Sequence, residues 1–199
     1  GCPYKCTFCF EEELQNIYQG KGQYVRVRSP ENIFMEIKEA IESGIHIDYV
    51  MFLDDVFGIN KVWLYDFLEK YKEEIDLPFI CLVRADLVHK GDDYAQRLAD
   101  AGCVSVAFGI ESGTEHLRQL SLQKQLTDQQ IIEATNELHA AGIKVKTYNL
   151  FGFPGETIED AFSTVEINIK IKADFPQSNL FIPFPKTGLA EYAMANGYL

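Results

Sequence analysis

The chain lacks two features that would assign it to common classes of binding protein. It has no run of lysine and arginine, and 18 basic against 30 acidic side chains give a formal net charge of −12. Proteins that bind a phosphate backbone normally present a basic face, so we expect no nucleic-acid binding by this segment. It also has no apolar run near the ~20 residues that cross a bilayer, which predicts no membrane-spanning helix.

Low-complexity linkers and sequence repeats are absent as well, which predicts one domain over residues 1–199. A chain of this length can bury roughly 70% of the surface that it exposes when unfolded. Its 47% apolar and 13% aromatic residues are ordinary for a folded protein. The chain begins at Gly1 inside its first motif. We therefore expect it to be a fragment of a longer protein.

What the chain does have is a group of three cysteines at its start. Cys2, Cys6 and Cys9 follow a Cys-x3-Cys-x2-Cys spacing, and the aromatic Phe8 immediately precedes the last of them. Three close thiolates can ligate three irons of a 4Fe–4S cluster. The fourth iron then lacks a protein ligand and is open for chemistry.

Other interpretations of the three cysteines fit less well than an iron–sulfur site, although a chance grouping stays open. A structural zinc site needs four ligands, and the first histidine is only at His46. A ferredoxin run has two x2 gaps and a following Cys-Pro, which are missing here. A disulfide framework needs an even set in a small secreted chain, whereas Cys81 and Cys103 lie far off in apolar segments. Free thiols predict a reducing compartment, and we expect a cytoplasmic protein.

Strand-like and helix-like segments alternate along the chain at intervals of about thirty residues. This alternation predicts right-handed βα units and an α/β fold, a partial (β/α)6 TIM-like barrel of parallel strands. Its first strand is expected upstream of Gly1. The predicted strands are 49–53, 79–83, 104–108, 143–151 and 180–182. The predicted helices are 11–19, 30–43, 60–74, 94–101, 127–141, 157–172 and 189–195.

Polar residues follow two of the predicted strands directly, where a barrel of this kind carries its functional loops. Asp54 and Asp55 could receive an ammonium group, or they could form a solvated turn. Arg84 could hold a carboxylate in bidentate fashion, with Asp86 on the same face. The competing interpretation is an internal salt bridge between Arg84 and its acidic neighbours.

Two further motifs contain glycine. Glu111 could accept hydrogen bonds from two ribose hydroxyls, while Ser112 could simply cap a helix running through Leu117. The glycines of the segment 152–156 let backbone approach a ligand closely, or they only form a tight turn before Thr157. The histidines are scattered and are expected to be structural or solvated: His46, His89, His116 and His139.

Taken together, these motifs resemble those of the radical S-adenosylmethionine (SAM) superfamily, and the resemblance covers nearly the whole chain. The cysteine spacing, including Phe8, is similar to the cluster loop of that superfamily. Asp54-Asp55 stands where many members carry Gly-Gly-Glu. The Asp-Asp form is similar to the cobalamin-associated branch, as are the segments 84–86, 109–113, 152–157 and 183–187. Lys186 departs from that branch, whose members often have glycine there.

The resemblance implies cofactors and the residues that bind them. Cys2, Cys6 and Cys9 would ligate three irons of a 4Fe–4S cluster, and the amino and carboxylate groups of SAM would chelate the fourth. The remaining contacts to SAM would come from Phe8 near the adenine, Asp54 and Asp55 at the ammonium, Arg84 at the carboxylate, Glu111 and Ser112 at the ribose and methionine end, and the loop from Gly152 to Glu156 beside the adenine.

The resemblance also implies an activity. An electron from the reduced cluster would break a sulfonium C–S bond, yielding methionine and a 5′-deoxyadenosyl radical that activates an unreactive C–H bond. The branch suggests cobalamin-dependent methyl transfer to a small-molecule substrate, with the cobalamin domain upstream and flavodoxin or ferredoxin as electron donor. Three alternatives stay open: a radical SAM enzyme without cobalamin that catalyses a cyclisation or rearrangement, a non-catalytic iron–sulfur electron carrier, and a phosphate-binding barrel with incidental cysteines.

Overall fold

Five parallel strands form one sheet in the sequential order β1-β2-β3-β4-β5. A computed structural model describes residues 1–199. Helices cross between successive strands, so the predicted α/β fold and partial barrel of parallel strands are confirmed. The first strand of the barrel, expected upstream of Gly1, lies outside the described residues and stays a prediction. The strands are β1 Val50–Phe52, β2 Phe79–Leu82, β3 Cys103–Glu111, β4 Lys144–Phe151 and β5 Phe175–Leu180.

Eight α-helices connect or flank the strands, and several begin at residues whose side chains cap them. Ser29 accepts a hydrogen bond from the amide of Asn32, and Thr127 and Thr157 each form a capping box. None of the helices is long and apolar enough to cross a bilayer. The helices are α1 Glu11–Tyr18, α2 Pro30–Glu42, α3 Lys61–Glu74, α4 Tyr94–Asp100, α5 Glu115–Leu120, α6 Asp128–Ala140, α7 Ile158–Ile171 and α8 Gly188–Ala195.

The core lies between the sheet and the helices that pack on its outer face. At its centre, neighbouring aromatic rings have centroids 4.9–6.2 Å apart, and each of these side chains is buried. Such packing fixes the sheet as a rigid support, because a close-packed interior leaves little room for rearrangement. The rings belong to Phe52, Phe57, Phe67, Tyr71 and Phe79.

The predicted last strand at 180–182 is wrong, because β5 runs from Phe175 to Leu180. These residues pair in parallel with β4, from Lys146↔Phe175 to Phe151↔Leu180. The segment is polar, contains Pro176 and is exposed along its length, so it has no apolar signal. Proline is tolerated there because β5 is an edge strand, where an amide facing away from the sheet has no partner to lose.

Candidate active site

The carboxyl ends of β2 and β3 open into a cavity of about 300 Å³ that all three amino-terminal cysteines line. Cys2, Cys6 and Cys9 are free thiols, and each is half-buried. The cysteine loop, residues 1–10, therefore lies at the edge of the sheet where the sequence predicts functional loops.

Hydrogen bonds with α1, with the segment after α5 and with α8 hold the cysteine loop; at α8, the Leu189 amide donates to the Thr7 carbonyl at 2.9 Å. On the α1 side, the amide of Cys2 donates to Glu11 Oε2 at 2.7 Å, and Gln15 Nε2 donates to the Cys2 carbonyl at 2.7 Å. Between Cys6 and Cys9, the Thr7 amide donates to the Leu122 carbonyl at 3.1 Å, and its hydroxyl donates to the Ser121 carbonyl at 2.6 Å. The segment after α5 thus supports the cysteine loop directly.

Arg84 enters the same cavity from the end of β2. Its side chain is only 9% exposed, and it forms a bidentate pair with Asp86, with Nε–Oδ1 at 2.9 Å and Nη2–Oδ2 at 3.0 Å. The guanidinium carbon also lies 3.6 Å from the ring centroid of Tyr4 in the cysteine loop. The internal salt bridge that the sequence left open is therefore present.

Glu111 and Lys124 form a second buried ion pair in the cavity. Lys124 Nζ lies 2.9 Å from Glu111 Oε1, and the two side chains are 8% and 12% exposed. Glu111 ends β3 with a positive φ of 67°, beside a shift in register with β4. A Cβ at Gly109 would lie 1.8 Å from Glu111 Oε1 and 2.6 Å from Lys124 Nζ. Any larger residue at position 109 would therefore have to displace the ends of these two side chains.

The two adjacent aspartates after β1, Asp54 and Asp55, line different cavities. Asp55 lines the cysteine cavity, where its Oδ2 lies 3.3 Å from the amino nitrogen of Gly1. Asp54 lines a different cavity of about 360 Å³, which lies along β1 and contains no cysteine. Asp55 thus lies beside the cysteines, while a contact between Asp54 and SAM stays a prediction.

Comparison with known proteins identifies the family. The chain matches the profile of the Radical SAM superfamily over residues 1–166.

The chain belongs to the radical SAM superfamily.

Its relatives include proteins named for methyl transfer. Over its full length the chain is 31% identical to an uncharacterized methyltransferase of Pyrococcus horikoshii and 24% identical to the hopanoid C-2 methylase of Rhodopseudomonas palustris. It spans 41% and 37% of those two proteins, about two fifths of their length.

A solved structure confirms the fold of this radical SAM chain. The methyltransferase TsrM of Kitasatospora setae, with cobalamin and a [4Fe-4S] cluster bound, superposes with a TM-score of 0.80 at 20% identity. The match covers 98% of this chain and 35% of TsrM. At that identity the likeness shows the fold alone.

The cysteine set fits the iron–sulfur cluster that radical SAM proteins use. No three histidine, cysteine, aspartate or glutamate side chains of the chain converge closely enough to hold a single metal ion. A cubane cluster does not need such convergence, because each thiolate binds a different iron at a separate corner. Three thiols that line one cavity can therefore supply three ligands of such a cluster.

The cysteines are protonated when no metal is bound. Burial raises the pKa of Cys2 and Cys6 above the ordinary thiol value and raises that of Cys9 to about 11. At Cys6 the cations of Lys124 and Arg84 oppose this effect. Iron must therefore displace protons, and the two cations lower the cost of forming a thiolate at Cys6.

The remaining predicted SAM contacts divide between the cavity and its surroundings. Phe8 lines the cavity, but Ser112, Gly152 and Glu156 do not. Ser112 is fully buried, and its hydroxyl accepts a hydrogen bond from the Thr114 amide, so it does not directly cap α5, which begins at Glu115. The glycine loop closes on itself, since the Gly152 amide donates to Glu156 Oε2 at 2.5 Å. Contacts between SAM and these three residues stay predictions.

Sequence reasoning missed Lys124 and Tyr4. Lys124 lies 13 residues beyond Glu111, in the irregular segment between α5 and α6, and carries no local signal. That segment is held by Arg118, whose fully buried guanidinium donates to the carbonyls of Ser112 and Leu126 and pairs with Asp128. The position of Lys124 thus depends on contacts between residues that are distant in sequence.

Proposed function

We propose that this chain is the SAM-binding core of a radical SAM enzyme that transfers a methyl group to a small-molecule substrate with the help of cobalamin. One observation carries the proposal. Three free thiols, two buried cations and three carboxylates share a single cavity at the carboxyl edge of the sheet. SAM is a zwitterion with a cationic sulfonium, so it needs groups of both signs beside the metal.

In this proposal Cys2, Cys6 and Cys9 ligate three irons of a 4Fe–4S cluster. The cluster, when bound, supplies one electron to the sulfonium of SAM, which cleaves its C5′–S bond to give methionine and a 5′-deoxyadenosyl radical. The protein orients the cosubstrate and keeps water out. Residues of β3 and Lys124, from the segment after α5, line the cavity in which the cosubstrate would bind.

The chain's other cavity residues bind the polar ends of SAM. Asp55 accepts from the ammonium group, and Lys124 donates to the carboxylate, because it is the cation beside Cys6 that no bidentate partner holds. Glu111 accepts hydrogen bonds from the ribose hydroxyls, which then replace part of its contact with Lys124. Phe8 packs beside the adenine.

The relatives support two parts of the proposal, methyl transfer and the use of cobalamin. Two of the compared proteins are named as a methyltransferase and a methylase, and TsrM holds cobalamin together with its cluster. Cobalamin would bind outside the 199 residues, on a part of the protein that precedes them. A reducing, cytoplasmic setting and an electron donor such as flavodoxin or ferredoxin complete the proposal.

Anaerobic reconstitution of the full-length protein with iron and sulfide tests this function. We expect about four iron atoms per chain, a paramagnetic signal after reduction that changes when SAM is added, and release of 5′-deoxyadenosine. Corrinoid absorbance tests the cobalamin component. A triple Cys2/Cys6/Cys9→Ala variant should lose the cluster, and its retention of the same signal would refute the ligand assignment. A cluster without release of 5′-deoxyadenosine would favour an electron carrier.

A further inference from the structure

We propose that Arg84 is a positioning residue that holds the cysteine loop in place through the ring of Tyr4, and that it does not bind the carboxylate of SAM. The inference rests on the proposed function, because it takes the cysteine loop to be the ligand of the cluster. It replaces the expectation that the sequence raised for Arg84.

Arg84 contacts the middle of the part of the cysteine loop that joins Cys2 to Cys6, which we call the Cys2–Cys6 arm. Tyr4 is two residues from Cys2 and two from Cys6, and its ring centroid lies 3.6 Å from the guanidinium carbon of Arg84. The Arg84 side chain is only 9% exposed. A cation over an aromatic ring binds more strongly when water is excluded, so this contact is in a favourable environment.

Asp86 fixes the guanidinium in its stacking orientation. Its two oxygens accept from Nε at 2.9 Å and from Nη2 at 3.0 Å, the paired arrangement by which arginine binds a carboxylate. That edge of the guanidinium is therefore already filled by a residue of the chain. To bind at this edge, a SAM carboxylate would have to displace Asp86, whereas Lys124 offers a cation in the same cavity.

The backbone around Arg84 is rigid, so the contact can transmit position to the loop. Val83 and Ala85 are buried on either side of it, and the amide of Val83 bonds to the carbonyl of Ala107 in β3. The hydrogen bonds that the loop makes with Glu11 and Gln15 lead only to α1, which directly continues the loop. Arg84 thus ties the Cys2–Cys6 arm to the sheet.

The chain contains a matched control for this cluster of side chains. Arg97 lies 4.4 Å from the ring centroid of Tyr65 and pairs with Asp93. The chemistry is the same as at Arg84, but this set lies between α3 and α4 and is exposed. Variants of it report what loss of such a stack does when no cysteine is nearby.

The experiment uses the full-length protein, reconstituted anaerobically, with the variants Arg84→Lys, Tyr4→Leu and their combination. We expect each single variant to lose iron to a chelator about three- to thirtyfold faster than the wild type, and the double variant to lose it no faster. Without SAM, the paramagnetic signal of the reduced cluster should change shape. The SAM dissociation constant, read from the spectral change on its addition, should stay within about twofold.

Two further measurements keep the result interpretable. Hydrogen exchange of the metal-free protein should be faster at residues 2–6 in Tyr4→Leu than in the wild type. This variant leaves the Arg84–Asp86 pair intact, so it tests the proposal even if Arg84→Lys fails to fold. Arg97→Lys and Tyr65→Leu should behave as the wild type in every readout. The proposal is overturned if Tyr4→Leu matches the wild type, or if Arg84→Lys retains iron normally and weakens SAM binding tenfold or more. A wild type without a cluster would instead refute the proposed function.

Discussion

The five cysteines occupy two environments that the sequence separates only by spacing. Cys2, Cys6 and Cys9 are half-buried around a cavity that two cations and three carboxylates also line. Cys81 and Cys103 are buried in adjacent strands of the apolar core. Burial raises the pKa of the thiol at Cys81 as it does at the loop cysteines, yet no cation opposes it there. Chemistry at a thiol is thus decided by its neighbours and by free space, rather than by residue type.

The largest effect should come from serine at any one cysteine of the loop. Cys6→Ser should reduce bound iron in the reconstituted protein at least about tenfold, because a hydroxyl is a poor ligand for an iron–sulfur cluster. Iron and sulfide analysis together with the visible spectrum measures this. Iron content near the wild-type value in Cys2→Ser, Cys6→Ser and Cys9→Ser would remove the distinction between the two environments.

Loss of the cation beside Cys6 should have the next largest effect. Lys124→Met keeps the length and apolar stem of the side chain, and we expect it to weaken SAM binding about ten- to hundredfold while the cluster still forms. Spectral titration of the reduced cluster with SAM measures the change. Lys72→Met, at an exposed lysine paired with Asp76, is the control and should bind SAM normally. Equal affinities in the two variants would contradict the role of Lys124.

The core cysteines should show the opposite behaviour. Cys81→Ser places a hydroxyl in a fully buried site of the apolar core, so we expect it to lower the free energy of unfolding by about 1–3 kcal/mol. Bound iron per folded chain should be unchanged. Denaturant unfolding and iron analysis of the same sample make the comparison. A variant that loses iron at unchanged stability would show that the core cysteines serve the cluster.

The smallest predicted effect concerns a carboxylate outside both cysteine environments. Hydrogen bonds from Thr114, at 2.7 Å, and from Thr157 hold the pKa of Asp160 below its ordinary value. Because the folded-state pKa is lowered, the stabilisation is present above the ordinary pKa of about 4 and is lost as pH falls below it.

We expect Asp160→Asn to lower the free energy of unfolding at pH 7 by about 0.5–1 kcal/mol, since Asp160 is only partly buried. The difference from the wild type should shrink as the pH is lowered through 4, and bound iron should not change. Thermal unfolding at both pH values measures it. Asp48→Asn, at an exposed aspartate near His46, is the control and should leave the stability at pH 7 unchanged. A constant difference at all pH values would contradict the ionised role of Asp160.

Features that depend on local sequence could be predicted. The caps at Ser29, Thr127 and Thr157 set where three helices begin, because each cap bonds only to residues three positions ahead. The strands β1 to β4 were predicted near their observed bounds, β1 and β2 by their apolar runs. The edge strand β5 could not be, since pairing with β4, rather than apolar residues, makes it a strand.

The cavity shows the same division between local and distant contacts. The cysteine spacing by itself predicted that three thiols share one site, and the alternation of strands and helices predicted that it lies at the carboxyl edge of a parallel sheet. Only the tertiary structure decided that Asp55 lines the cavity while Asp54 does not. It also decided that Asp86 forms an ion pair with Arg84 and that Lys124 forms one with Glu111. Residues of one motif lie close together because a few peptide bonds connect them. Side chains on different loops become partners only through the packing of the whole chain.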